Sequence, residues 1–129
     1  MSPTRMVDKI LIVEDDPDIR FIIHMALREA GYNVEQMASG APLLEKNTAW
    51  PDLLILDKAL PNVDGITLCK QLRLKEETRT IPIVMISCYH NLKKKAKEAG
   101  VNDFIEKPFH LRELLEVIEK NIKQSHAHQ

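Results

Sequence analysis

Leu53-Leu54-Ile55-Leu56-Asp57, continuing into Lys58-Ala59-Leu60-Pro61-Asn62-Val63-Asp64-Gly65, is the stretch on which the fold turns. Four large apolar residues in a row, without alternation, suit a strand buried on both faces. Such strands belong to parallel sheets covered by helices. The run stops on a carboxylate, and the Pro, Asn, Asp and Gly that follow mark a loop. Working outward, Lys9-Ile10-Leu11-Ile12-Val13 has the same character and stops at Glu14-Asp15-Asp16. Ile81-Pro82-Ile83-Val84-Met85-Ile86 ends at Ser87, with Pro82 acceptable only at its start. Asp103-Phe104-Ile105-Glu106 precedes Lys107-Pro108, and Tyr32 to Met37 alternates as a further strand.

Helical spacing fills the intervals. Ile19, Ile22, Ile23, Ala26 and Leu27 predict a helix over Pro17–Ala30, capped by Asp16 and ended by Gly31. Ser39 to Lys46 reads as a short helix, with Pro42 in its first turn. After Gly65 a helix carries Ile66, Leu68, Cys69 and Leu72 inward. A lysine-rich helix runs from Asn91 to Ala99 and closes at Gly100. The last helix, His110 to Lys123, aligns Leu111, Leu114, Leu115, Ile118 and Ile122. Five βα units in strict alternation predict a doubly wound α/β domain with right-handed crossovers.

The chain has 129 residues, 44% hydrophobic and 29% charged, as expected for one soluble domain. We expect an extension over residues 1–7, the domain over 8–123 and an exposed tail over 124–129, with no room for an output domain. Eighteen Lys+Arg against 19 Asp+Glu give a net charge of −1. That balance leads us to expect no direct nucleic-acid binding. Cys69 and Cys88 read as reduced thiols without metal-ligand spacing. No apolar run approaches the roughly 20 residues that span a bilayer. The start Met1-Ser2-Pro3-Thr4-Arg5 is no secretory signal, so a cytoplasmic protein is expected.

Each apolar run ends in a polar side chain: Glu14 and Asp15, Asp57, Ser87, Lys107. In an open parallel sheet these positions share the carboxyl edge, where ligands bind. Glu14, Asp15 and Asp57 placed together repel one another unless a cation intervenes, and oxygen-only ligands suit Mg²⁺. A carboxylate beside Mg²⁺ and a lysine is a competent phosphoryl acceptor, with Ser87 available to hydrogen-bond the transferred group. Acids at loop starts are often no more than caps, but four strand ends at once are hard to ascribe to capping.

Ile10-Leu11-Ile12-Val13-Glu14-Asp15-Asp16, Asp57 through Gly65, the apolar run into Ser87, and Lys107-Pro108-Phe109 together resemble the receiver domain of bacterial two-component response regulators, from about Asp8 to Lys123. The resemblance implies five parallel strands in order 2-1-3-4-5, with five helices. It implies Asp57 as phosphoacceptor, Asp15 as a direct Mg²⁺ ligand, Glu14 acting through a metal-bound water, and Ala59 giving its backbone carbonyl to the metal. Ser87 would contact the phosphoryl group, Lys107 would sense it through an ion pair, and Phe104 would be the switch aromatic. It further implies a cis Lys107-Pro108 bond and a histidine kinase or phosphotransfer protein as donor. The face of the fourth helix, fifth strand and fifth helix would meet a downstream protein. A monomer or a phosphorylation-linked homodimer is expected, acting as a signalling domain rather than an enzyme.

Two positions depart informatively. Ala59 cannot orient an attacking water, and Tyr89 is placed to overhang the phosphoryl group, so a long-lived phospho-Asp57 is expected. Cys88 has no partner suited to thiol catalysis. Lys93, Lys94, Lys95 and Lys97 read as a solvated helix face, His126 and His128 as a disordered end, and His24, His90 and His110 as isolated. A haloacid-dehalogenase-type phosphatase would need an acid at position 59, and a flavodoxin-like phosphate binder a Gly/Ser-rich first loop. Two alternatives survive: a phosphorylation-independent receiver-like adaptor, and the N-terminal receiver fragment of a longer transcriptional regulator.

Overall fold

A computed structural model describes residues 8–45 and 49–127. Five strands, β1 (Lys9–Val13), β2 (Asn33–Met37), β3 (Leu53–Asp57), β4 (Ile83–Ser87) and β5 (Asp103–Glu106), alternate with five helices. These are α1 (Pro17–Glu29), α2 (Ala41–Leu44), α3 (Gly65–Leu74), α4 (Lys93–Ala99) and α5 (Leu111–Ala127). All pairings are parallel, in the order β2-β1-β3-β4-β5. This is the doubly wound α/β architecture expected. The chain order reverses direction at β1, so the crevice beyond the carboxyl ends of β1 and β3 is the switch point.

Two apolar layers hold the sheet. On one face Leu11, Val13, Leu54, Leu56, Ile83 and Met85 pack against Leu43 of α2, Leu68, Cys69 and Leu72 of α3, and Ala96 of α4. On the other, Ile10, Ile12, Ile55, Val84 and Ile86 meet Ile23 and Leu27 of α1 and Leu114, Ile118 and Ile122 of α5. Alternate residues of one strand thus feed opposite layers, which is why β1, β3 and β4 are apolar throughout.

The structure departs from expectation at several edges. Ile22 is 50% exposed beside Phe21 and Met25, because one helix cannot bury five positions against a single layer. Ile66 is half-buried against the α3 layer, and Leu111 is exposed at the start of α5. The second helix spans only Ala41–Leu44, and Lys46 lies outside the described residues. The last helix does not end at Lys123. It runs to Ala127, and His126 Nε2 lies 3.0 Å from Asp8 Oδ1, tying it to the start of β1. His126 is therefore part of a packed helix rather than of a disordered end, while His128 and residues 1–7 lie outside the described residues.

Candidate phosphoryl and metal site

The β1–α1 turn is set by Asp16, whose Oδ1 accepts from the amides of Asp18 and Ile19 and so caps α1. Glu14 is fixed just before it: its amide donates to Met37 O at 3.0 Å and its carbonyl accepts from Arg20 Nη1 at 2.7 Å. Its side chain points into the sheet edge and is fully buried, whereas Asp15 is exposed. Asp57, 3% exposed, ends β3 alongside Ile86 of β4. The loop after it folds back closely, and Gly65 makes that possible. A Cβ on Gly65 would stand 2.5 Å from the Asp57 carbonyl oxygen, while the Gly65 amide donates to Lys58 O at 2.8 Å.

Carboxylate oxygens of Glu14, Asp15 and Asp57 all lie within 4.8 Å of one another. Lys107 reaches in from the end of β5, with Nζ 3.0 Å from Glu14 Oε1 and 3.3 Å from Asp57 Oδ2. One ammonium thus pairs with two of the three clustered acids. The shortfall shows in Glu14: burial, then the hydrogen-bonded Asp57 carboxyl, pushes its pKa up to about 7. Burial pulls Lys107 down, but its contacts with Glu14 and Asp57 outweigh it and hold the ammonium above its ordinary pKa. Glu14 Oε1 also has no aligned hydrogen-bond donor. A buried, under-compensated set of hard oxygen ligands is chemistry that fits a divalent cation.

The remaining expected residues take their places around this set. Ala59 is exposed two residues on, its amide donating to Asp57 Oδ1 at 3.2 Å. Ser87 ends β4, buried, its Oγ accepting from the Tyr89 amide at 2.9 Å. Its carbonyl accepts from the Lys107 amide at 2.7 Å, which joins the ends of β4 and β5. The Lys107-Pro108 bond is cis. Phe104 is half-buried on β5 opposite Met85 and packs against the layer that holds α3 and α4. Sequence reasoning did not foresee the Lys58 ammonium 5.1 Å from the Tyr89 ring centroid, nor His90 Nδ1 3.0 Å from Glu106 Oε2. Each contact involves a residue of the loop after β4, where no periodicity announces a neighbour.

The family model of the response regulator receiver domain matches residues 10–119. The chain belongs to this family. Among curated relatives, the DNA-binding dual master transcriptional regulator RpaA of Synechocystis is 38% identical over 114 residues, covering 83% of this chain and 46% of RpaA. This chain spans about half the length of the curated relatives it matches. A CheY-like receiver domain protein from Methanospirillum hungatei superposes with a TM-score of 0.87 at 27% identity, covering 96% of this chain and 100% of its own. The receiver domain of the sensor histidine kinase PA1611 from Pseudomonas aeruginosa, with a magnesium ion coordinated in its active site cleft, gives a TM-score of 0.83 at 29% identity. It covers 92% of this receiver domain and 99% of its own chain. The expected absence of nucleic-acid binding finds no support among relatives that include a DNA-binding regulator. No helix among the described residues is long and apolar enough to cross a membrane.

Proposed function

We propose that this receiver domain accepts a phosphoryl group on Asp57 from a histidine kinase or phosphotransfer protein, and that the phosphoryl group switches its binding to a downstream protein. The observation that carries this reading is the buried Asp57 carboxylate, flanked by Glu14, Asp15 and the Lys107 ammonium at one sheet edge. An Asp57 oxygen attacks phosphorus, the bond from phosphorus to the donor imidazole nitrogen breaks, and the imidazole leaves with the electron pair. Glu14, Asp15, Asp57 and the Ala59 carbonyl would hold Mg²⁺, which supplies charge neutralisation for the transferring oxygens.

Lys107 then pairs with a phosphoryl oxygen rather than with Asp57 alone, and the Ser87 hydroxyl donates to another. Ser87 moves toward the phosphoryl group, and Phe104 turns into the space left behind. The two packings differ at the face of α4, β5 and α5, where the downstream partner is read. This face also serves if the phosphorylated form is a homodimer. The setting is the cytoplasm.

Incubation with a small acyl phosphate and Mg²⁺ tests the reading. Wild-type protein takes up label and Asp57→Asn does not. A wild-type chain that takes no label contradicts it, and the phosphorylation-independent adaptor then stands in its place.

A further inference from the structure

Arg20 lies in the first turns of α1, half-buried, and no carboxylate takes its charge. Among the described residues it forms no ion pair, although Asp15, Asp16 and Asp18 closely precede it in sequence. Its Nη1 donates instead to the Glu14 carbonyl at 2.7 Å, the length of a charge-assisted bond. The Arg20 amide donates to Asp16 O at 2.9 Å, so one residue grips the acidic turn on both sides of Asp15. Glu14 is held further by its amide on Met37 O, and its Oε2 accepts from the Asp16 amide at 3.1 Å. The Asp15 side chain has no hydrogen bond or ion pair of its own among the described residues, so its place in the carboxylate cluster depends on these neighbours. The Glu14 carbonyl lies past Val13, the last paired residue of β1, and no backbone amide reaches it. Arg20 is its donor. Rotation of the Glu14–Asp15 peptide would swing the Asp15 carboxylate away, and the Arg20 bond resists that rotation.

We propose that Arg20 is a positioning residue for the metal site: by holding the Glu14 carbonyl it fixes the Glu14–Asp15 peptide and keeps the Asp15 carboxylate gathered with Glu14 and Asp57 for one divalent cation. The inference rests on these three acids holding Mg²⁺. Groups that orient metal ligands without touching the metal change its affinity by about 10–100-fold when removed. The sign of the effect separates this role from one of charge alone. A guanidinium bonded to Glu14 adds positive charge beside the acids, so as a mere charge its loss would tighten Mg²⁺. As an anchor its loss weakens Mg²⁺, because Asp15 then spends part of its time turned away from the cluster.

In the test, Mg²⁺ alone is titrated calorimetrically into the full chain, without a phosphoryl donor, for wild type, Arg20→Met, Arg20→Gln, Arg20→Lys and Arg28→Met. Arg20→Met loses the donor, and Arg20→Gln is too short to reach the carbonyl, so both should weaken Mg²⁺ by about tenfold. Arg20→Lys keeps a cationic donor of similar reach and should recover most of that loss. Arg28→Met removes the same charge from the last turn of α1 and should bind Mg²⁺ as wild type does. Labelling by a small acyl phosphate should need about tenfold more Mg²⁺ for half-maximal rate in Arg20→Met, with the rate at saturating Mg²⁺ within about twofold of wild type. General loosening of the fold would lower the saturated rate as well. If Arg20→Met does not fold, the Gln and Lys variants carry the same comparison. Unchanged or tighter Mg²⁺ binding in Arg20→Met and Arg20→Gln, or equal weakening in Arg28→Met, overturns the proposal while leaving the metal site in place. A wild-type chain that binds no Mg²⁺ removes the metal reading and this proposal together.

Discussion

The Lys107 ammonium stands 3.3 Å from the Asp57 carboxylate, across fifty positions of sequence and two strand ends. The same Nζ serves Glu14 at 3.0 Å, so a single cation balances two buried acids. Without a further cation this is a strained electrostatic arrangement, and its consequences can be measured.

The first is a pH dependence. The metal-free native state holds a proton on Glu14 below about pH 7, which the unfolded chain releases near its ordinary value of 4.5. The native state thus binds the extra proton between those values, and this group's contribution to stability falls as pH rises through the window. Mg²⁺ competes for the deprotonated form, so its apparent affinity should rise across the same range and level off above about pH 7. Thermal melts and Mg²⁺ titrations at several pH values check this. Glu14→Gln should flatten both profiles.

Gly65 supplies a geometric prediction. A methyl at this position would meet the Asp57 carbonyl at 2.5 Å and the Lys58 Cα at 3.0 Å, both backbone atoms. Gly65→Ala should therefore displace the acceptor loop, costing about 1–3 kcal/mol and slowing phosphorylation. Chemical denaturation and labelling rate report the two effects separately.

Arg73 should matter for stability alone. Its Nη1 donates to the carbonyls of Ile81, Arg79 and Thr78, while Nε and Nη2 both donate to Gly100 O and Nη2 also to Asn102 Oδ1. One guanidinium thereby ties α3, the loop before β4 and the end of α4 together. Arg73→Met should cost about 2–4 kcal/mol, and Arg73→Lys should recover little, since an ammonium lacks the planar fork. Denaturation midpoints decide this, and the labelling of Asp57 in the folded fraction should be unchanged.

The architecture was legible because β1, β3 and β4 are buried on both faces and each stops on a polar residue. That pattern alone brings Glu14, Asp57 and Ser87 to one edge, and the structure places them there. What escaped were contacts between segments far apart in sequence. The bond from Asp8 to His126 spans nearly the whole chain, so nothing local signals that α5 continues past Lys123. Ile22 misled because helical spacing counts apolar residues without knowing how wide a stripe the sheet covers. Arg73 carried no signal in the sequence, since its acceptors are mostly backbone carbonyls that side-chain patterns do not reveal.

The most direct test of the central claim is the position of the phosphoryl group. Protein charged with a small acyl phosphate in Mg²⁺ is reduced with borohydride, which converts an aspartyl phosphate into homoserine, and its peptides are sequenced by mass spectrometry. Homoserine at position 57, absent when Mg²⁺ is withheld, is the result predicted. Homoserine at Asp15, a reduction product at any residue other than Asp57, or no homoserine from protein charged in Mg²⁺, contradicts the account.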